Sequence, residues 1–300
     1  MTDFNKDLRK KLSSVAVIKP PKIHQVHSSH EGTIKYMIEL NSGSMVEMVI
    51  IPEKNRRTLC VSSQAGCALQ CTFCATGAQG FDQNLESHEI IGQLWLANFN
   101  QNNTKPITNV VFMGMGEPLL NYDSVIESAK IMKDQLSYGL SRKRITISTS
   151  GIVPNIDKLS KEIDVSLAIS LHAAENNLRN EIVPINKKYP IESLIKACKE
   201  YLNYFDNKRN ITIEYILIDG INDSIEHAKK LSKLLSDISC KINLIPFNSF
   251  TGSDYKRPSK NKINEFKKYL MSKGFIATLR ITRGDGVDAA CGQLVGNLSN

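Results

Sequence analysis

The sequence predicts an α/β protein, a partial (β/α)6 TIM-like barrel preceded by a small β-hairpin extension. Short apolar runs alternate along the chain with stretches of helical periodicity, and runs that are apolar throughout are typical of parallel strands covered by helices. Such strands fit a barrel or a doubly wound sheet. The distinctive polar motifs follow these runs, and the carboxyl ends of parallel strands line the sites of both architectures.

The composition is that of one folded domain. With 300 residues, 41% of them hydrophobic and 23% charged, the chain suits one barrel-sized unit better than two small ones. The amino terminus is charged and no apolar stretch reaches about 18 residues, so we expect no signal peptide, no membrane span and a cytoplasmic location. A formal charge of +8 permits RNA binding, although solvated lysines on helix faces would give the same charge.

The elements follow in order along the chain. Residues 1–30 form a short amino-terminal segment, 31–55 a β-hairpin extension, 56–285 the barrel and 286–300 a tail. Alternation around a glycine-containing turn predicts the hairpin, TIKYMIEL-NSGS-MVEMVIIP. The predicted barrel strands are TLCVSS, NVVFMG, RITISTS, VSLAISL, ITIEYILI, INLIPF and IATLRIT. Predicted helices include SHEIIGQLWLANF, with Ser87 as its N-cap, SVIESAKIMKDQL, IESLIKACKEYLNYF, SIEHAKKLSKLLSD and KINEFKKYLMSKG.

The loop after the first barrel strand, GCALQCTFCATGAQGF, contains Cys67, Cys71 and Cys74. A structural zinc site normally has four ligands, and no second C-x2-C or His pair nearby completes this set. A thioredoxin-like motif would use only Cys71 and Cys74. Three thiolates are typical of an iron–sulfur cluster that leaves one iron open to another ligand. We therefore predict a catalytic cluster on this loop.

The four other cysteines differ in their surroundings. Cys198 and Cys240 lie among apolar residues and are predicted to be core thiols. Cys60, in the first barrel strand, also fits the core. Cys291 lies beyond the last strand between small residues and a glycine, where a thiol is accessible, so it is predicted to be a nucleophile.

Several motifs together resemble one family. They extend from about Glu47 to Leu294 and are RRTLCVSSQAGCALQCTFCATGAQGF, MGMGEPLLN, STSGIVP, LAISLHA, NDSIEHAKKLSKLL, INLIPFN and TRGDGVDAACGQL. The set resembles the RlmN/Cfr family of radical S-adenosylmethionine (SAM) RNA methyltransferases, and its last motif is more similar to RlmN than to Cfr. The resemblance implies a radical SAM barrel, a [4Fe-4S] cluster on Cys67, Cys71 and Cys74, and two molecules of SAM per turnover.

The resemblance also implies a reaction, methylation of C2 of adenosine in 23S ribosomal RNA and in certain tRNAs. Cys291 would take a methyl group from one SAM, and a radical from a second SAM would activate that group for addition to the adenine. Cys60 would resolve the protein–RNA adduct by forming a disulfide with Cys291. Glu47 would be the general base, and on its apolar strand face its carboxyl pKa is expected to be raised.

Further positions are implied as SAM contacts. Gly116 would let the backbone approach the cofactor, and Glu117 would receive the SAM ammonium. The remaining contacts would come from Ser148, Ser170, Leu171, His172 and Asn248. Taken singly, each of these polar side chains would equally suit a helix cap or a local backbone contact.

The partners implied are RNA and an electron donor such as flavodoxin or ferredoxin, with no membrane. The family has a longer amino-terminal accessory region than residues 1–30, and Gln83 and GDGVD replace residues of its usual pattern. Two alternatives stay open. One is a related radical SAM methyltransferase with another RNA target or C8 regiochemistry, and the other is a non-catalytic metal- or RNA-binding protein.

Overall fold

The computed structural model describes residues 3–16, 19–100, 105–205, 209–280 and 289–296. Its strands are β1 (Lys22–Ser28), β2 (Ile34–Glu39), β3 (Met45–Pro52), β4 (Arg57–Cys60), β5 (Gln64–Gly66), β6 (Phe81–Asn84), β7 (Asn109–Phe112), β8 (Ile145–Thr149), β9 (Ser166–Ser170), β10 (Ile211–Leu217), β11 (Cys240–Pro246) and β12 (Ile276–Leu279). Its helices are α1 (Lys6–Val15), α2 (Ala75–Gln79), α3 (Ser87–Phe99), α4 (Tyr122–Lys133), α5 (Val153–Glu162), α6 (Asn176–Ile182), α7 (Ile191–Tyr204), α8 (Ile225–Leu234) and α9 (Lys260–Ser272).

One large sheet organises the described residues. Its strand order is β1-β2-β3-β4-β7-β8-β9-β10-β11-β12, antiparallel from β1 to β4 and parallel from β4 to β12. Each parallel connection passes through at least one helix, which is the predicted βα repeat. The mixed α/β fold with a mostly parallel sheet is therefore confirmed. Within the described ranges the order ends at β12 and does not return to β4, so the barrel is a partial one.

The parallel strands each bury one apolar face, while the other face carries polar residues such as Ser148 and Glu214. Ile145 and Ile147 in β8 are fully buried, as are Ile213 and Tyr215 in β10. Helices cover the outer face, where α5 packs against α7 and α8 against α9. Each buried Ile or Leu contributes about 1.5–3 kcal/mol relative to an exposed one, so the sheet is a rigid base for the loops at its strand ends.

The predicted hairpin is present as β2 and β3, with Met37 opposite Glu47. A further strand, β1, pairs with β2 inside the predicted amino-terminal segment, where the sequence analysis placed no element. Its side chains are mostly exposed, so its sequence lacks the apolar alternation by which the hairpin is recognised. The sheet continues from β3 into β4, and the division of the chain at residues 30, 55 and 285 stays a prediction.

The predicted N-cap of α3 is wrong. Glu86 precedes the helix as its N-cap instead of Ser87, and it forms a capping box in which Glu89 accepts the Glu86 backbone N–H at 3.0 Å. The box satisfies donors at both ends of the first turn, so Ser87 becomes the first helical residue. Helices α1, α2, α5 and α6 were not among the helices named from the sequence. Among the described residues, no helix is long and apolar enough to cross a membrane.

Candidate active site

The loop that follows β4 arranges its three cysteines along the wall of one cavity. Cys67 donates its backbone N–H to Gly80 O at 2.7 Å, and Cys74 donates its N–H to Cys71 O at 3.1 Å, just before α2 begins. Gly66 leads into the loop with a φ of +74°, and a Cβ at this position would lie 1.9 Å from Gly80 O. Glycine is therefore required there, and the backbone sets where the thiols lie.

The surroundings of Cys67 and Cys71 disfavour their thiolate anions. Burial raises the pKa of Cys67 to about 12. Burial, and after it the neighbouring thiols Cys74 and Cys67, also raise the pKa of Cys71. Thiolates in this loop therefore need a positive partner, and iron is the usual partner of such a sulfur set.

The donor set fits a [4Fe-4S] cluster. In such a cluster each iron takes its own thiolate, so the sulfurs need not converge on one point. Among the described residues, no three His, Cys, Asp or Glu side chains converge as ligands of a single ion. Cys67, Cys71 and Cys74 would hold three irons and leave the fourth iron to a ligand in the cavity.

The cavity beside these sulfurs has a volume of about 130 Å³. The predicted site residues on its wall are Cys67, Cys71, Cys74, Gly116, Glu117, Ser148, Ser170, His172 and Cys291. Apart from Cys291, they lie at or just beyond the carboxyl ends of β4, β7, β8 and β9, as the parallel order predicts. Two of the predicted SAM contacts lie elsewhere. Leu171 is fully buried, and Asn248, which follows β11, lines a second cavity.

Glu117 is one of two carboxylates that the described residues place on the wall of this cavity, the other being Glu214. The Oε1 of Glu117 accepts the Leu119 N–H at 3.0 Å and its Oε2 accepts the Ser150 N–H at 2.8 Å. Burial raises its pKa to about 7 despite these hydrogen bonds. The preceding Gly116 has a φ of +98°, and a Cβ there would lie 2.5 Å from the Gln64 Cβ. A buried carboxylate beside a close backbone approach is suited to receive the ammonium group of a ligand.

His172 faces the same cavity in a fixed orientation. Its φ of +62° is unusual for a residue with a side chain. Its Nδ1 accepts the Ile216 N–H at 3.0 Å, and its ring meets Phe73 edge to face at 4.6 Å. Burial, and then the charge of Arg179, lower its pKa to about 3. His172 is therefore neutral, and its Nε2–H is the group left to donate to a ligand.

Glu47 lies in β3 with only 1% of its surface exposed. Its Oε1 lies 2.9 Å from Lys35 Nζ, and its Oε2 accepts the Val295 backbone N–H at 2.9 Å. Burial raises the pKa of the carboxyl, and the hydrogen bond and charge of Lys35 oppose that rise. The expected direction of the shift is confirmed. The Lys35 partner was missed, because it becomes a neighbour of Glu47 only through the hairpin register.

Cys60, Cys291 and Arg280 form a second group of reactive side chains. Burial, and after it the charge of Cys291, raise the pKa of Cys60 to about 12. Arg280 lies just after β12, and its pKa is raised chiefly by the charge of Cys291, with smaller effects from Glu214 and Cys60. The guanidinium opposes the rise that burial causes in the pKa of Cys291. Arg280 was missed, although a cation at the end of the last strand was a signal available in the sequence.

Cys291 lies where two cavities meet. It lines the cavity of the cluster cysteines and a second cavity of about 550 Å³, together with Glu214 and Arg280. The second cavity also carries Lys143 and Lys241 on its wall. Each of the seven cysteines, all within the described ranges, is a free thiol, and Cys198 is fully buried in the core as predicted.

The tail that carries Cys291 is fastened to the helix that follows the cysteine loop. Ala75 donates its N–H to Gly292 O at 2.7 Å, and the Thr76 hydroxyl donates to Leu294 O at 2.6 Å. Gly296 donates its N–H to Gln79 Oε1 at 2.9 Å. These bonds hold residues 289–296 across α2. The predicted motif GDGVD and residues 297–300 lie outside the described residues.

Comparison with known proteins agrees with this geometry. The model of the Radical SAM superfamily matches residues 61–231. The chain is 55% identical over 305 residues to a dual-specificity RNA methyltransferase RlmN from Pseudomonas putida, a match that covers 100% of this chain and 80% of the relative. The chain belongs to the RlmN family of radical SAM RNA methyltransferases.

Two further comparisons support the assignment to the RlmN family. A dual-specificity RNA methyltransferase RlmN from Pseudomonas entomophila is 54% identical over 305 residues, again covering 100% of this chain and 80% of the relative. The crystal structure of a radical SAM methyltransferase from Sphaerobacter thermophilus matches with a TM-score of 0.93 at 40% identity, covering 99% of this chain and 87% of that one. The resemblance seen in the motifs is confirmed, and membership in the family implies SAM and a [4Fe-4S] cluster as cofactors.

Proposed function

We propose that this chain methylates C2 of adenosine in 23S rRNA, at the peptidyl transferase centre, and in tRNA next to the anticodon, with Cys291 as the methyl carrier. The best support is the position of Cys291 on the wall of the cavity that Cys67, Cys71 and Cys74 also line. Cys60 lies within electrostatic reach of the same thiol. A methyl carrier needs a thiol beside the SAM site, and its release needs a second thiol close by.

Different residues of the cavity would bind the cluster and SAM. Cys67, Cys71 and Cys74 would hold the cluster, Glu117 would receive the SAM ammonium, and the His172 Nε2–H would donate to the same ligand. Ser148 and Ser170 add hydroxyl groups to the wall. When bound and reduced, the cluster supplies the electron that splits SAM into methionine and a 5′-deoxyadenosyl radical. Two molecules of SAM are needed per turnover, because one provides the methyl group and the other the radical.

Cys291 first acts as a nucleophile toward the methyl group of SAM, so its sulfur must be ionised. The Arg280 guanidinium lowers the pKa of this thiol against the effect of burial. The sulfur then carries the one-carbon unit to the adenine carbon. That carbon is a poor nucleophile, and a carrier that presents a reactive methylene avoids the barrier to direct substitution.

Release of the product needs a proton acceptor and a resolving thiol. The radical from the second SAM takes a hydrogen atom from the S-methyl group, and the methylene radical adds to the adenine carbon. The adduct then loses one electron, for which the oxidised cluster would be the acceptor, and Glu47 takes the proton from the substituted carbon. Cys60 then attacks the Cys291 sulfur, so the S–S bond forms as the carbon–sulfur bond breaks. The electron pair of the broken bond goes to the methylene carbon, which gains a proton and becomes the methyl group. An external reductant restores the two thiols before the next turnover.

The partners follow from the same chemistry. The formal charge of +8 favours association with RNA. A low-potential donor such as flavodoxin or ferredoxin would deliver the electrons, and ribosomal and transfer RNA as substrates place the reaction in the cytoplasm.

Nucleoside analysis tests the proposal. RNA from cells with and without the gene, and RNA treated with the reconstituted enzyme, would be digested and examined for 2-methyladenosine and 8-methyladenosine. We expect 2-methyladenosine in 23S rRNA and tRNA with the wild-type enzyme and none with Cys291→Ser. 8-Methyladenosine would instead indicate the C8 alternative. Anaerobically prepared protein that binds no iron would indicate the non-catalytic alternative.

A further inference from the structure

Arg179, in α6, is a fully buried arginine beneath the cluster cavity. Its Nε donates to Leu171 O at 2.9 Å, and its Nη1 donates to Asn186 Oδ1 at 2.8 Å. Its Nη2 donates to Ser150 O at 2.6 Å and to Ser170 O at 3.2 Å. All four acceptors are neutral oxygens.

A guanidinium buried among neutral partners is costly. Buried cations are normally paired with carboxylates, and one without such a partner destabilises the fold. In the part of the chain that the structure describes, no carboxylate forms an ion pair with Arg179. Burial accordingly lowers its pKa to about 10, and the only described groups that act in the other direction are the thiols Cys71 and Cys198.

The position of Arg179 links it to the cysteine loop. Two of its acceptors are the backbone oxygens of Ser150 and Ser170, and both residues line the cavity that Cys71 also lines. The loop is joined to the same helix by the Thr72 N–H, which donates to Ile182 O at 3.2 Å. The guanidinium therefore holds the carboxyl ends of β8 and β9 and places a positive charge within electrostatic reach of Cys71.

Negative charge would build up at this place. Three thiolates bring three negative charges, and a [4Fe-4S] core in its oxidised resting state carries two positive ones, so the assembly has a net charge of −1 that becomes −2 on one-electron reduction. A buried cation stabilises the more negative state more strongly, because the medium around it screens little. Of the other described charges on the cavity wall, Glu117 and Glu214 have the wrong sign for this role. The cation Arg280 interacts with Cys291, Glu214 and Cys60 and not with the cluster thiols.

We propose, resting on the cluster assigned above, that Arg179 is the buried countercharge of the [4Fe-4S] cluster and raises the potential at which the cluster accepts its electron. Arg179 acts on the cluster through its charge and makes no bond to it. Its four hydrogen bonds fix that charge in place. It is a positioning and electrostatic residue of the reaction.

The test separates the charge of Arg179 from its hydrogen bonds. Arg179→Gln removes the charge and most of the bonds, and Arg179→Lys keeps the charge but not the planar fork. Asn186→Asp keeps the guanidinium of Arg179 but neutralises its positive charge, because the new carboxylate faces Nη1 at the position of Asn186 Oδ1. Arg209→Gln is the control, since it removes a partly buried arginine that pairs with Asp164 instead of facing the cysteine loop.

The readout is the midpoint potential of the cluster in anaerobically reconstituted protein, followed by electron paramagnetic resonance during titration with dithionite and redox mediators. We expect Arg179→Gln and Asn186→Asp to lower the ratio of reduced to oxidised cluster at least tenfold at a fixed potential, a shift of about 59 mV. Arg179→Lys and Arg209→Gln should stay close to the wild-type potential.

Several outcomes would overturn the proposal. If Arg179→Gln and Asn186→Asp keep the wild-type potential, Arg179 is a structural residue only. If Arg179→Gln fails to fold, Asn186→Asp decides the matter, because it retains the guanidinium and its fork. If Arg179→Lys shifts the potential as far as Arg179→Gln, the hydrogen bonds and not the charge are responsible. Wild-type protein that binds no iron would overturn the proposed function itself, which is a distinct result.

Discussion

Glu47 accepts the backbone N–H of Val295 at 2.9 Å, although 248 residues separate the two positions. The bond joins the hairpin that precedes the barrel to the tail that carries Cys291. The Nζ of Lys35 lies 2.9 Å from the other oxygen of the same carboxylate, Oε1. The ionisation of Glu47 therefore depends on contacts from two distant parts of the chain.

We expect Lys35→Met to require a higher pH for methyl transfer. Burial raises the pKa of Glu47 and Lys35 lowers it, so the pKa rises further when the ammonium is removed. A general base works above its pKa and fails as the pH falls through it. The acidic limb of the pH–rate profile should therefore move upward by about one unit or more. Single-turnover formation of 2-methyladenosine between about pH 6 and about pH 9 measures this shift.

Lys161→Met is the matched control, because it breaks an exposed ion pair with Asp157. Its pH–rate profile should coincide with that of the wild type. A Lys35→Met profile that also coincided would mean that the ionisation of Glu47 does not limit the reaction.

Arg280→Met should slow the methylation of Cys291 by about tenfold or more. Burial raises the pKa of the Cys291 thiol and Arg280 opposes this rise, so the variant has a smaller fraction of thiolate at neutral pH. Mass spectrometry of the peptide that contains Cys291, after incubation with SAM, measures S-methylcysteine directly.

Arg280→Lys keeps a cation at this position and should retain more of the rate than Arg280→Met. The loss in Arg280→Met should also diminish as the pH is raised, because the thiolate forms without help at high pH. Equal rates in Arg280→Met and the wild type would exclude Arg280 as an activator of the thiol.

Cys60→Ala should trap the enzyme on its RNA. Without the resolving thiol the carbon–sulfur bond to Cys291 is not broken, so a covalent protein–RNA adduct accumulates. A denaturing gel with labelled RNA shows the adduct as a species of retarded mobility. Cys198→Ala removes a fully buried thiol of α7 and should give no adduct. Release of methylated RNA by Cys60→Ala would exclude Cys60 as the resolving residue.

The wall of the cluster cavity could be predicted from the sequence because a parallel sheet brings the carboxyl ends of its strands together. Ser148 and His172 follow apolar runs that the sequence marks clearly, and both lie on the cavity wall. Asn248 also follows such a run but lines the second cavity. Strand register therefore places a residue at the correct edge of the sheet without deciding which cavity its side chain meets.

The buried cations could not be predicted in the same way. Lys35 and Arg179 are two of 38 lysines and arginines, and composition treats all of them as surface charges. Each is recognised only by its surroundings, such as the carboxylate that faces Lys35 across the hairpin. The edge strand β1 was missed for the opposite reason, because its polar side chains are exposed.

Gly66→Ala should cost the protein its cluster, because the residue leads into the cysteine loop at a φ of +74° and its Cβ would lie 1.9 Å from Gly80 O. That oxygen accepts the Cys67 N–H at 2.7 Å, so displacing it also moves a cluster ligand. The strained φ costs about 1 kcal/mol and the steric clash about 1–3 kcal/mol more. Gly43→Ala isolates the first cost, since Gly43 has a φ of +88° with nothing within 4 Å of its Cβ position. The unfolding temperature and the iron content should both fall in Gly66→Ala, whereas Gly43→Ala should lower the unfolding temperature only by the cost of the strained φ and keep its iron. Equal values in the two variants would show that the loop tolerates the displaced carbonyl.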